Sequence, residues 1–113
     1  MIGQPMKTVL IGGSGHIGTY LAPKLVRAGF RVVNVTRGQS KPYFADNAWR
    51  EVEHLVLDRK KEAPGAFESK IAALNADIVV DLINFDLEST RRMTEALKNT
   101  NLSHYLYCLQ TKR

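Results

Sequence analysis

The run Thr8-Val9-Leu10-Ile11-Gly12-Gly13-Ser14-Gly15-His16-Ile17-Gly18 joins an apolar segment, a glycine-rich turn and the beginning of a helical pattern. No other stretch of the chain restricts the fold as much. The aliphatic residues form a strand, the glycines let the backbone reverse and be approached closely, and the helix must pack back onto the strand it has just left. The first N–H groups of such a helix, with its positive dipole end, face whatever lies over the turn, and an anion fits there. The pattern therefore predicts a dinucleotide pyrophosphate site built from Gly12, Gly13, Ser14, Gly15, His16, Ile17 and Gly18. Gly13, Gly15 and Gly18 satisfy G-x-G-x-x-G, and Gly12, Gly15 and Gly18 satisfy G-x-x-G-x-x-G, so spacing alone leaves the register of the motif open. The plain alternative is a tight strand-to-helix turn that binds nothing.

The remainder of the sequence repeats the strand-then-helix rhythm. Lys7 to Ile11 reads as the first strand. A helix follows from near His16, with Ile17, Leu21, Leu25 and Ala28 on one face and Gly29 as its stop. Pro23 lies inside it and predicts a kink or an early irregularity rather than a break. Phe30 to Thr36 is a β-branched second strand and Val52 to Leu57 a third, separated by a loop-like stretch in which Trp49 anchors the chain to the body. A helix over Ala66 to Leu74 leads to the apolar run Ala76 to Ile83, which suits a strand buried on both faces of a parallel sheet. A further helix spans Leu87 to Asn99, and His104 to Leu109 forms the fifth strand. This alternation predicts an α/β fold, a doubly wound, Rossmann-like parallel sheet. Right-handed crossovers give its five strands the order 3-2-1-4-5.

Size and charge bound what such a sheet can do. A chain of 113 residues supports one domain, here a single NAD(P)-binding unit over 1–113, and it is short for a complete dinucleotide enzyme. Hydrophobic residues at 44% and charged residues at 24% exclude a disordered or fibrous chain. No apolar run is long enough to cross a membrane. The single cysteine, Cys108, precludes an internal disulfide framework and fits a reducing cytoplasm, the expected location. The net charge of +5 is spread over short runs such as Arg59-Lys60-Lys61 and Arg91-Arg92. Those runs are read as solvated surface, with no nucleic-acid partner expected.

Cofactor choice turns on the end of the second strand. An acidic residue there would bind the adenosine ribose of NAD, whereas this chain carries Thr36-Arg37. A guanidinium holds a 2′-phosphate bidentately, so NADP is favoured and NAD is the alternative. The alternative is that Arg37 is an ordinary surface cation after a strand. Asp58 falls at the carboxyl edge of the sheet, where it can accept a hydrogen bond from an adenine amino group or simply cap a turn. Leu82, Ile83 and Asn84 end the fourth strand at the same edge and are placed along the nicotinamide side. Tyr20 and Lys24 have the Tyr-x-x-x-Lys spacing used in acid–base work, but they lie in the first helix, so the spacing is a coincidence of helical period. His16, His54 and His104 lack neighbours with metal-ligand spacing, and no metal is expected. Cys108 is expected to be buried and inert.

Taken together, the glycine turn, Thr36-Arg37-Gly38-Gln39, Leu57-Asp58-Arg59, the segment from Asp77 to Asn84 and Ser103-His104-Tyr105-Leu106 resemble the N-terminal part of extended or atypical short-chain dehydrogenase/reductases. The nearest likeness is to the NAD-dependent epimerase/dehydratases, over roughly Lys7 to Cys108. The resemblance implies NAD(P) held by Gly12, Gly15, Gly18 and the amides near His16 and Ile17, with Arg37 near the adenosine phosphate and Asp58 with Arg59 near adenine. Ile11 stands where such proteins usually carry threonine. After the fifth strand they continue to a Tyr-x-x-x-Lys pair and a substrate lobe, while this sequence ends at Leu109-Gln110-Thr111-Lys112-Arg113, which resembles a truncation or a foreign tail. No catalytic residue is therefore assigned, and whether the chain is an enzyme stays open.

The expected function is dinucleotide binding, as the cofactor half of an epimerase/dehydratase-like oxidoreductase without turnover. The alternative is a non-catalytic sensing or interaction module resembling NmrA-like proteins, and the plainest reading is a folded fragment that binds nothing useful. An uncovered sheet edge at the C-terminus predicts a homodimer or a swapped oligomer.

Overall fold

A computed structural model of the chain describes residues 6–12, 18–36, 47–59, 61–63, 65–84, 87–98, 100, 102 and 104–109. Along them run β1 (Lys7–Ile11), α1 (Gly18–Arg27), β2 (Arg31–Thr36), a 3₁₀ turn at Asn47–Glu51, β3 (Glu53–Val56), α2 (Ala66–Ala72), β4 (Ile78–Asn84), α3 (Leu87–Leu97) and β5 (His104–Leu109). The five strands form one parallel sheet in the order β3-β2-β1-β4-β5, as the alternation of strands and helices requires.

Register follows from the strand pattern. Val9 stands beside Val33 and Val79, and Ile11 beside Val35 and Asp81. Residues level with one another in a parallel sheet share a face, so Val9, Ile11, Val33, Val35 and Val79 make one apolar layer. Phe67 and Ile71 of α2 and Met93 and Leu97 of α3 complete that layer. On the opposite face Leu10 and Val32 pack with Ala22 of α1 and with Val52, and Leu21, Leu25, Phe30 and Trp49 close over them. Trp49 thus anchors the stretch before β3, as expected. It does so from a 3₁₀ turn where the sequence predicts a loop, because one turn is too short to display a period.

The ends of the elements are fixed by specific bonds. Helix α1 runs through Pro23 without a break and closes on Gly29 at φ 94°. There the N–H of Gly29 donates to the carbonyl of Val26, and that of Phe30 to the carbonyl of Leu25, both at 3.0 Å. This two-bond closure needs a left-handed residue just past the helix, and glycine adopts it without steric cost. At the amino edge of the sheet the Asp77 carboxylate accepts from the N–H of Lys7 at 2.7 Å, and Lys7 Nζ donates to the carbonyl of Leu74 at 2.8 Å. These bonds tie the entry of β4 to the entry of β1.

Candidate functional site

In a parallel sheet whose strand order reverses, the crevice opens at the carboxyl edge between the two strands that lead in opposite directions. Here those strands are β1 and β4. Gly12 leaves β1 at that point with φ 81°, a left-handed conformation that a side chain would strain. Its N–H donates to the carbonyl of Val35 at 2.8 Å, so this amide extends the ladder to β2. Gly18 is buried and opens α1, which directs the first N–H groups of the helix back toward the same edge. The described parts of the turn are thus its two ends: Gly12, in a conformation glycine adopts without steric cost, and the buried Gly18 that opens α1. Gly13, Ser14, Gly15, His16 and Ile17 lie outside the described residues, as does Arg37.

The other expected site residues fall along the same edge. The N–H of Leu57 donates to the carbonyl of Thr36 at 2.9 Å, which carries the β2–β3 pairing up to Asp58. Asp58 is half-buried, and its carbonyl accepts from the N–H groups of Lys61 and Glu62 at 3.0 and 3.2 Å, closing a turn. Leu82 is buried in β4, and Ile83 and Asn84 complete that strand. Of the other candidates, Tyr20 and Lys24 sit on the exposed side of α1. His54 stacks on Trp49 with ring centroids 6.0 Å apart. Among the described residues no three His, Cys, Asp or Glu side chains gather as a metal site, and no helix is long and apolar enough to cross a membrane.

Beneath this edge lies a charged cluster that joins Arg59, expected near adenine, to Asp81, which no sequence spacing singles out. Asp81 interrupts the apolar run of β4 and its side chain is 0% exposed. Arg59, just past Asp58, reaches it across the positions of β2 and β1, with Nη2 at 2.6 Å from Oδ2 and Nη1 at 3.4 Å from Oδ1. The Tyr105 hydroxyl donates to Asp81 Oδ2 at 3.1 Å, and the guanidinium lies over the Phe67 ring, 4.7 Å from its centroid. A carboxylate carried into an apolar layer needs a cation and further donors, and this cluster supplies them. Arg59 and Phe67 also form one wall of an open pocket of about 210 Å³, which Glu68 and Arg92 help to line.

A strand, a glycine turn, a helix and a parallel sheet with its crevice at the reversal of strand order together define the class of dinucleotide-binding α/β domains. Residues 8–109 match the model of the NAD dependent epimerase/dehydratase family, and the chain belongs to that family. It is 31% identical over 112 residues to the chloroplast stem-loop binding protein of 41 kDa b of Arabidopsis thaliana, an alignment that takes in 90% of this chain and 28% of that protein. Among solved structures, UDP-glucose 4-epimerase of Bifidobacterium longum, in complex with NAD+ and UDP, superposes with a TM-score of 0.68 at 18% identity, over 90% of this chain and 36% of the epimerase. The Bordetella bronchiseptica enzyme WbmG, in complex with NAD, superposes with a TM-score of 0.66 at 12% identity, over 93% of this chain and 37% of the enzyme. The chain thus spans about a third of the length of the proteins it matches.

Proposed function

We propose that this chain binds a nicotinamide dinucleotide as the cofactor part of an epimerase/dehydratase-type oxidoreductase. The observation that carries this reading is Gly12 at positive φ, at the carboxyl end of β1 and beside the point where strand order reverses. In this reading the pyrophosphate lies over the turn from Gly12 to Gly18, including Gly13, Ser14, Gly15, His16 and Ile17. The adenine amino group meets Asp58, and Leu82, Ile83 and Asn84 border the nicotinamide. Arg37 takes the 2′-phosphate, which makes NADP the preferred cofactor and NAD the weaker one. Hydride chemistry belongs to the nicotinamide, and the residues named here bind and orient it. Assembly through the edge strand β5, where Leu106 is 55% exposed, accompanies this reading, and light scattering across a concentration series checks it.

Thermal unfolding with NADPH, NADH or neither is the test. Occupancy at a hundred times Kd stabilises a fold by about 2.7 kcal/mol, so a bound cofactor raises the midpoint measurably. A larger rise with NADPH supports the role given to Arg37, a larger rise with NADH removes that role, and no rise with either removes the reading. A nucleic-acid reading has its own support in the net charge of +5 and in the likeness to a protein named for binding a stem-loop. A stem-loop RNA that shifts the midpoint while both dinucleotides leave it unchanged would put that reading first.

A further inference from the structure

We propose that Asp81 is a positioning residue for the adenosine end of the cofactor, acting through Arg59 on the turn that carries Asp58. This inference rests on the cofactor reading above and adds to it a residue that touches no part of the ligand.

The cost of the cluster points to such a role. A fully buried carboxylate and a guanidinium with 15% of its side chain exposed are both largely withdrawn from water. A pair of this kind commonly contributes no more stability than two apolar side chains of the same volume would. What it does provide is directional: a two-point contact fixes the plane and position of the guanidinium, which aliphatic packing leaves looser. The Tyr105 hydroxyl holds Asp81 from β5, and the Phe67 ring supports the guanidinium from α2, so both partners are held on more than one side.

The anchored segment is the one that needs a fixed place. Strand β3 is a short edge strand, Glu53–Val56, bonded on one side to β2. Past Leu57 the chain makes its own turn through the Asp58 carbonyl. Without Arg59 the two-point contact between that turn and the centre of the sheet would be gone. With it, Asp58 is held to β4, whose residue Asp81 stands level with Ile11, the residue directly before Gly12. The ion pair therefore sets the adenosine side in register with the pyrophosphate turn, one residue below it. Its neutrality also matters, because an uncompensated carboxylate next to β1 would repel the phosphates held just above.

The test separates the two ends of the cofactor. Binding of 2′,5′-ADP and of nicotinamide mononucleotide is measured by calorimetry for the wild-type chain, Tyr105→Phe, and the double variant Arg59→Met with Asp81→Leu, which removes both charges and is expected to keep the fold stable. The double variant is expected to lose tenfold or more in affinity for 2′,5′-ADP with nicotinamide mononucleotide unchanged, and Tyr105→Phe about threefold in the same direction. Amide hydrogen exchange without ligand is the second readout: residues 57–63 should exchange faster in both variants while Val9 and Val33 keep their protection. Equal losses for both half-ligands, or unaltered exchange over residues 57–63, overturns the proposal. A wild-type chain that binds neither half-ligand removes the cofactor reading, and the exchange measurement then still decides whether Asp81 anchors the turn.

Discussion

One face of the sheet is covered by α1 and the other by α2 and α3, and the two are held by different physics. Under α1 the layer is Leu10, Val32, Ala22 and Val52, with the neutral side chains of Thr8 and Asn34 buried among them. Under α2 and α3 an apolar layer of similar make-up surrounds an ion pair with a phenol and an aromatic ring in attendance. Dispersion and apolar burial are short-ranged and forgiving of repacking, whereas a buried charge must have its partner. The first face should therefore lose stability in proportion to volume removed, and the second by the state of one bond.

The largest effect should come from splitting the pair. Arg59→Met leaves Asp81 without its cation and is expected to cost about 3–5 kcal/mol in urea unfolding, most of which should return when Asp81→Leu is added. A double variant no more stable than Arg59→Met alone would break the distinction between the faces. On the other face Leu10→Ala should cost about 3 kcal/mol with no such rescue, since it leaves a cavity rather than a charge. Tyr105→Phe, which removes one donor to a carboxylate, should cost roughly 1.5–3 kcal/mol. Gly29→Ala should cost about 1 kcal/mol through the left-handed closure of α1, and its effect should not depend on the variants of the other face.

The smallest effect belongs to a third kind of contact, the exposed pair that joins β2 to the edge strand. Arg31 donates to both carboxylate oxygens of Glu53 at 2.7 and 3.1 Å. The guanidinium holds the Glu53 carboxyl below its ordinary value. A carboxyl lowered on folding stabilises the protein above its unfolded-state value and loses that contribution as pH falls through the folded one. Glu53→Gln should therefore change the unfolding midpoint little at neutral pH, and any difference from the wild type should vanish in acid below the carboxylate range.

Local chemistry was legible in the sequence and long-range chemistry was not. Strands β1 and β5 begin and end where their β-branched and aromatic runs do, at Lys7–Ile11 and His104–Leu109. Strand β4 begins at Ile78 rather than Ala76, because Asp77 is taken up in bonding Lys7. Helix α2 stops at Ala72, short of the expected Leu74, as the chain turns through Asn75 in a left-handed conformation. The end of β1 at Gly12 and the start of α1 at Gly18 were legible because one short stretch holds strand, glycines and helix start together. Arg59 and Asp81 are 22 residues apart on different elements, and only the fold makes them neighbours. The one available signal was a carboxylate within the apolar run from Ile78 to Ile83, where an unpaired charge would be untenable.

Parallel pairing also has a consequence in time. Thr8 of the central strand is matched with Ile78, and the N–H of Lys7 is bonded to a side chain 70 residues further along the chain. At ordinary rates of synthesis that separation amounts to roughly 4–14 seconds during which β1 has been made and its second neighbour has not. Through that interval the nascent chain can assemble β1, α1, β2 and β3 as a half-sheet with one long apolar edge uncovered. Aggregation during synthesis is then governed by how soon β4 arrives, and a slow stretch of codons before Ile78 would be more damaging to yield than one after it.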